Sequence, residues 1–192
     1  MPCPDGCAQF SVPFTEWNSS QSAELYLNSA LDMSSATVTV KARKVAGKAG
    51  GIQVTVKNGS AQMYAYAQSS WYDVETLTAE WSTLTLDLTD PELSTDPNNT
   101  FVPSAVAIVA IQLAAGDTWY TDETETMEDP TALVNPTVIQ IDEIAITGSA
   151  ADPTPWTFTS SVSPLVANIP ADGLAADPPY AITGSTVTFV GP

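Results

Sequence analysis

The chain has 192 residues, enough for one substantial core and too few for two ordinary domains that each bury their own. Hydrophobic residues make up 44% of it, which argues against disorder of the whole chain. Its 22 acidic and 5 basic residues, with no histidine, give a formal net charge of −17; nucleic acid is disfavoured as a partner for want of a Lys/Arg cluster, and an anionic membrane surface would repel such a chain.

Near the start, Cys3 and Cys7 flank Pro4-Asp5-Gly6, a turn-forming sequence that brings two sulfurs into bonding range. A local disulfide is expected there, with two free thiols as the alternative. A disulfide fits a secreted, extracellular setting. No basic region followed by an apolar stretch opens the sequence, so an exported form is expected to have lost its signal, and no apolar run approaches the roughly 20 residues that span a bilayer.

Segments rich in Val, Ile, Thr and Tyr then alternate with clusters of Gly, Asn, Asp, Ser and Pro. Strands are expected at 8–14, 23–28, 36–45, 51–58, 62–68, 82–88, 105–113 and 137–147, with Asn58-Gly59 as a hairpin signal between two of them. That rhythm predicts an all-β protein, a two-sheet antiparallel β-sandwich or jelly roll. No helix is expected beyond a turn near 129–133. All five cations, Lys41, Arg43, Lys44, Lys48 and Lys57, fall around a predicted hairpin; they read as lysines guarding a solvated strand edge, with a phosphate or uronate patch as the alternative.

Two long insertions interrupt the strands. Residues 89–103 form a polar connection between sheets, and 116–136 an acidic loop carrying Trp119 and Tyr120, which acidic disordered tracts seldom contain. Residues 1–148 are expected to form the main part of the sandwich. The extension at 149–192 carries strand-like Trp156-Thr157-Phe158 and Thr186-Val187-Thr188-Phe189-Val190, apolar residues that a linker does not need.

The absence of histidine excludes Ser-His-Asp and Cys-His triads and the usual zinc sites. A glycosidase needs two carboxylates held in a cleft, and abundant loop acids make chance pairs uninformative. The chain is therefore not expected to be an enzyme.

The aromatics are more telling. Trp71 and Trp81 bracket a polar stretch that is no regular buried strand, and rings beside amides suit the C–H faces and hydroxyls of a sugar. Trp71, after Gln68-Ser69-Ser70, is expected to be exposed; for Trp81, at the head of a strand, the core competes with a place in such a platform. Alternation puts Ile52, Val54 and Val56 on one face and Gln53, Thr55 and Lys57 on the other, and likewise opposes Ala110 and Gln112 to Val109, Ile111 and Leu113. Gln140 sits on the face opposite its own strand's apolar side, and Tyr64 and Tyr66, two apart, share a face and extend the platform.

In order, Leu31-Asp32-Met33-Ser34, Gly51-Ile52-Gln53-Val54, the stretch from Trp71 to Trp81 leading into Leu84-Thr85-Leu86-Asp87-Leu88, Val109-Ala110-Ile111-Gln112-Leu113 and Ile141-Asp142-Glu143-Ile144 resemble the jelly-roll carbohydrate-binding modules attached to bacterial cellulases and other glycoside hydrolases. The resemblance implies a non-catalytic module that binds β-glucan polysaccharide (cellulose, xyloglucan or mixed-linkage glucan) and accompanies a glycoside hydrolase catalytic domain. It gives the ligand-contacting role to Trp71, Tyr72 and Trp81, with Gln53 and Gln112 as polar partners; Tyr64, Tyr66, Trp119 and Tyr120 complete the candidate set. It also implies a structural calcium held in part by Asp142. Such modules ordinarily open with a Trp-x-Phe strand, which here resembles Trp156-Thr157-Phe158. The extension is thus expected to supply displaced first strands, by circular permutation or by strand exchange, or else to begin the next copy of a tandem array. An extracellular structural or adhesive sandwich is the alternative function, distinguished by lacking exposed, clustered aromatics.

Overall fold

Side chains of one parity along each β-strand must find a common interior, and two sheets laid face to face provide it. The computed structural model describes residues 3, 5–14, 20–47, 51–73, 77, 79–90, 93–114, 136–149, 153–162, 165–167 and 185–192. Among these, the strands are β1 (Cys7–Val12), β2 (Ser20–Leu31), β3 (Thr37–Ala46), β4 (Gly51–Asn58), β5 (Tyr66–Gln68), β6 (Tyr72–Asp73), β7 (Ser82–Asp87), β8 (Ser94–Thr95), β9 (Val106–Ala114), β10 (Thr137–Thr147), β11 (Trp156–Thr157), β12 (Leu165–Ala167) and β13 (Thr186–Val190). Sheet I has the order β13-β1-β10-β3-β7, with β11 paired to β10; sheet II has the order β12-β2-β9-β4-β5-β8, with β6 paired to β4. All pairings are antiparallel. The protein is an all-β, two-sheet antiparallel sandwich, as its strand rhythm predicts.

Successive strands β1 to β4 pass from sheet to sheet, and the pairs β1–β10 and β2–β9 are nested, so the chain wraps around its own core. That core is built from the expected parity: Phe10 and Val12 of β1, Val38 and Val40 of β3, Ile52, Val54 and Val56 of β4, Leu84 and Leu86 of β7, Val109, Ile111 and Leu113 of β9, Ile139 and Ile141 of β10. Each such side chain contributes roughly 1.5–3 kcal/mol by leaving water. From 149 onward the chain adds Trp156–Thr157 to β10, Leu165–Ala167 to β2 and Thr186–Val190 to β1.

Cys3 and Cys7 form a disulfide. Gly6 N–H donates to Cys3 O at 3.0 Å, and Gly6 has φ +90°, where a β-carbon would strike the Phe189 ring. Only glycine fits this turn without strain.

Asn58, fully buried at the end of β4, ties two loops together. Its amide donates to Val102 O and Ala105 O, both at 2.8 Å, and its Oδ1 accepts from Val102 N–H at 2.8 Å. The chain between β4 and β5 does turn back as Asn58-Gly59 suggests, but through a 3₁₀ turn at Ser60–Gln62 and two left-handed residues, Met63 and Tyr64 (φ 51° and 56°), so β5 begins at Tyr66 rather than at residue 62.

Lys41 of β3 is paired on both sides, with Glu143 of β10 and Thr83 of β7, and Lys57 of β4 with Ile108 of β9 and Tyr66 of β5, so these two do not guard an edge. Arg43 and Lys44 lie past Ala42, where the pairing with β7 ends, and pair with β10. Arg43 is buried, its Nε donating to Gln140 Oε1 at 2.9 Å, while Gln140 in turn donates to Gln9 Oε1 at 3.3 Å. Lys48 lies outside the described residues.

Candidate functional site

Register turns sequence alternation into rows of neighbours on the outer face of sheet II. Ser22, Gln112 and Gln53 stand side by side across β2, β9 and β4; Glu24, Ala110, Thr55 and Gln68 form the next row, and Tyr26, Ile108, Lys57 and Tyr66 the one after. Between them runs a groove of about 220 Å³, with Ser22 and Gln112 toward β2 and β9, Lys57, Tyr66 and Gln68 toward β4 and β5, and the small side chains of Ala110 and Thr55 beneath.

Trp71 reaches this face because of an extra residue. Gln68 pairs with Thr55 and Tyr72 with Ile52, so the stretch from Gln68 to Tyr72 is one residue longer than its partner from Thr55 to Ile52. Such a bulge inverts the alternation: Tyr72 turns inward to pack on the core, and Trp71 turns outward, 45% exposed. Its indole lies over Gly51, where a β-carbon would come within 2.6 Å of the ring. Since Ile52 points into the core, Gly51 presents its bare α-carbon to the same outer face as Gln53 and Thr55.

At the other end of β4 stand Tyr26 and Tyr64, 46% and 44% exposed, with Tyr66 half-buried beside them. Gly51 and Lys57 are six residues apart along a strand, so the two aromatic ends are separated by about 20 Å, room for several pyranose rings.

The polar groups between these ends are unevenly satisfied. Gln53 is fully buried; its Nε2 donates to Ser69 O at 3.3 Å, but among the described residues its Oε1 has no partner, and neither does the buried Oγ1 of Thr55. Gln112 Nε2 donates to Ser20 Oγ at 2.9 Å. Glu24, 1% exposed, is held by Lys57 Nζ at 2.5 Å, by Tyr26 Oη–H at 2.8 Å and by Ser22 Oγ–H at 3.4 Å. Burial first, then its bond to Glu24, pushes the Tyr26 phenol well above its usual pKa; burial and the nearby Asp96 raise Tyr66.

Of the sequence-predicted set, the outer face of sheet II thus brings together Trp71, Gln53, Gln112 and Tyr66, with Tyr64 at its margin. Tyr64 is not on a strand, so the expected alternation with Tyr66 does not place it; the turn after Ser60–Gln62 does. Tyr72 is occupied elsewhere, its hydroxyl donating to Thr85 O and accepting from Thr85 N–H, each at 3.1 Å, across to sheet I. Trp81 is neither in the core nor beside Trp71. It sits on sheet I with Arg43 4.4 Å and Lys41 5.5 Å from its ring centroid, a cation–π arrangement on a partly exposed ring. Gln140 belongs to sheet I as well and is spent on Arg43. Trp119 and Tyr120 lie outside the described residues.

Asp142 sits at a bulge, where Ile141 pairs with Ala42 and Glu143 with Lys41. Its Oδ2 accepts from Lys41 Nζ at 2.5 Å. An ammonium on the carboxylate is a poor setting for calcium, which takes six to eight oxygens. Among the described residues no three acidic or thiol side chains converge in a way that could hold a metal.

Sequence reading missed Tyr26, Glu24 and Gln68; it put Thr55 and Lys57 on the face of Gln53 without naming them as site residues. The signal for Tyr26 and Glu24 was present, since Ser20, Ser22, Glu24 and Tyr26 alternate with Gln21, Ala23, Leu25 and Leu27. No protein-family model matches the chain, and no curated protein matches it in sequence.

Proposed function

We propose that this protein is a non-catalytic carbohydrate-binding module that holds a β-glucan chain, such as cellulose, xyloglucan or mixed-linkage glucan, along the outer face of sheet II. The observation that carries the reading is a pair of buried atoms there, Gln53 Oε1 and Thr55 Oγ1, that have no hydrogen-bond partner among the described residues. Buried polar atoms left without partners cost about 1–3 kcal/mol each, and Thr55 forms part of the groove lining, where a ligand that brings its own hydroxyls would offer its Oγ1 a partner. A sugar does so. Its C–H faces also stack on rings such as Trp71, Tyr26 and Tyr66, while amides such as Gln112 and Gln68 both donate to and accept from hydroxyls.

Hydrolysis finds less support. A glycosidase brings two carboxylates to one bond. Glu24, the carboxylate beside the groove among the described residues, is almost wholly buried and engaged by Lys57 and Tyr26. The Cys3–Cys7 disulfide supports a secreted setting, where such a module would accompany a glycoside hydrolase catalytic domain.

Native affinity electrophoresis in gels containing hydroxyethylcellulose, xyloglucan, mixed-linkage glucan, xylan or mannan tests the reading. The protein should be retarded by at least one β-glucan, and Trp71→Ala should abolish the retardation while leaving the unfolding transition cooperative. Unaltered mobility across the panel, or full retardation of the variant, would overturn it.

A further inference from the structure

Among the described residues lining the groove, Lys57 is the cation, and its charge is cancelled in place. Its Nζ lies 2.5 Å from Glu24 Oε1, and that carboxylate is fixed from two other sides by the hydroxyls of Tyr26 and Ser22. The carboxylate is all but inaccessible, so the pair is partly desolvated and solvent screens it weakly. A hydroxyl-bearing chain still gains a donor from the ammonium. A uronate does not gain a free charge.

From this geometry we infer that Glu24 is a specificity-determining residue, which restricts the groove to uncharged chains by neutralising Lys57. The inference rests on reading this face as a polysaccharide groove. A uronic acid carboxylate must shed water on entering, and only an uncompensated cation offsets that cost. Here it would instead meet a neutralised ammonium, with the buried Glu24 carboxylate behind it and a chain of net charge −17 around it. Replacing Glu24 with glutamine keeps the shape and an acceptor for the Tyr26 hydroxyl, and leaves Lys57 with a net positive charge facing the groove.

The test is affinity electrophoresis of the full chain in gels of hydroxyethylcellulose or xyloglucan, and of polygalacturonate. The wild-type protein should be retarded by a neutral polymer and run freely through polygalacturonate. Glu24→Gln should become retarded by polygalacturonate, and about 0.3 M NaCl should remove that retardation by screening. A folded Glu24→Gln variant that still ignores polygalacturonate, or a wild-type protein that binds it, overturns the inference while leaving glycan binding intact. A wild-type protein that binds neither polymer class overturns the functional reading itself. Should Glu24→Gln fail to fold, Gln112→Lys places a second, uncompensated cation on the opposite wall. Retardation of that variant by polygalacturonate supports the charge argument, and its absence overturns it.

Discussion

The Trp71 indole lies against the strand at Gly51, occupying the space that any larger residue's side chain would fill: a β-carbon there would come 2.6 Å from the ring's Cε3 and 3.3 Å from its Cδ2. Glycine inside a strand forfeits packing and conformational entropy. At this position it leaves a seat for an aromatic ring, and the bulge opposite Gln53 delivers that ring to it.

Gly51→Ala should therefore weaken ligand binding without touching a ligand-contacting side chain. Gly51 does not have the positive φ that would make alanine strained in itself, so the effect should come through the displaced indole. Titration calorimetry with a soluble β-glucan oligosaccharide should show a loss of about tenfold or more, equivalent to about 1.4 kcal/mol. An affinity equal to that of the unmodified protein would mean that the seating of Trp71 is irrelevant to recognition.

Tyr72 stands next to Trp71 and should behave in the opposite way. Its hydroxyl satisfies both the N–H and the C=O of Thr85 on β7, a strand that among the described residues pairs on one side, with β3. Tyr72→Phe should cost about 1 kcal/mol, because water replaces the lost bonds at this exposed site, and lower Tm by roughly 2–4 °C. Glucan affinity should stay unchanged. Uncovered strand edges also pair with one another, so light scattering on heating should rise sooner than in the parent. A loss of glucan binding by this variant would return Tyr72 to the ligand site.

These two neighbours show what the sequence made legible and what it hid. Alternation alone places Ile52, Val54 and Val56 inside and Gln53 outside, and it brings Gln53 opposite Gln112 once β4 and β9 are known to pair. Alternation fails wherever a strand carries one residue too many. Counting by twos from the outward Gln68 would turn Tyr72 outward and Trp71 inward, the reverse of what the bulge produces. The same break occurs in Ile141-Asp142-Glu143-Ile144, where two core isoleucines three apart betray a bulge on inspection. Sheet membership was hidden too. Gln140 matches Gln53 and Gln112 in pattern but belongs to the opposite sheet, and Trp81 is taken by Arg43, a long-range partner that nothing in the local sequence announces.

Acid should act on this protein in two opposed ways. Hydrogen bonds from Ser34 to Asp32 and from Thr89 to Asp87, each from hydroxyl and backbone N–H, hold those carboxyls below their ordinary value of 3.8, and the backbone N–H of Asn98 does the same for Asp96. A carboxyl with a lowered folded pKa binds its proton more readily in the unfolded chain. Its contribution is complete above 3.8 and is lost as the pH falls through the lower folded value. The net charge of −17 works the other way, since protonation of other acids on the approach to pH 4 relieves self-repulsion. Unfolding followed by circular dichroism in low salt should therefore show Tm holding or rising from pH 7 to about 5 and falling below about 4; about 0.5 M NaCl should raise Tm at pH 7 and flatten the upper limb. Asparagine keeps the acceptor that each turn uses but cannot titrate, so the triple variant Asp32→Asn, Asp87→Asn, Asp96→Asn should lose less stability between pH 4 and pH 2.5 than the parent. Identical acid limbs for the two proteins would remove these three turns from the account and leave acid sensitivity to carboxylates elsewhere in the chain.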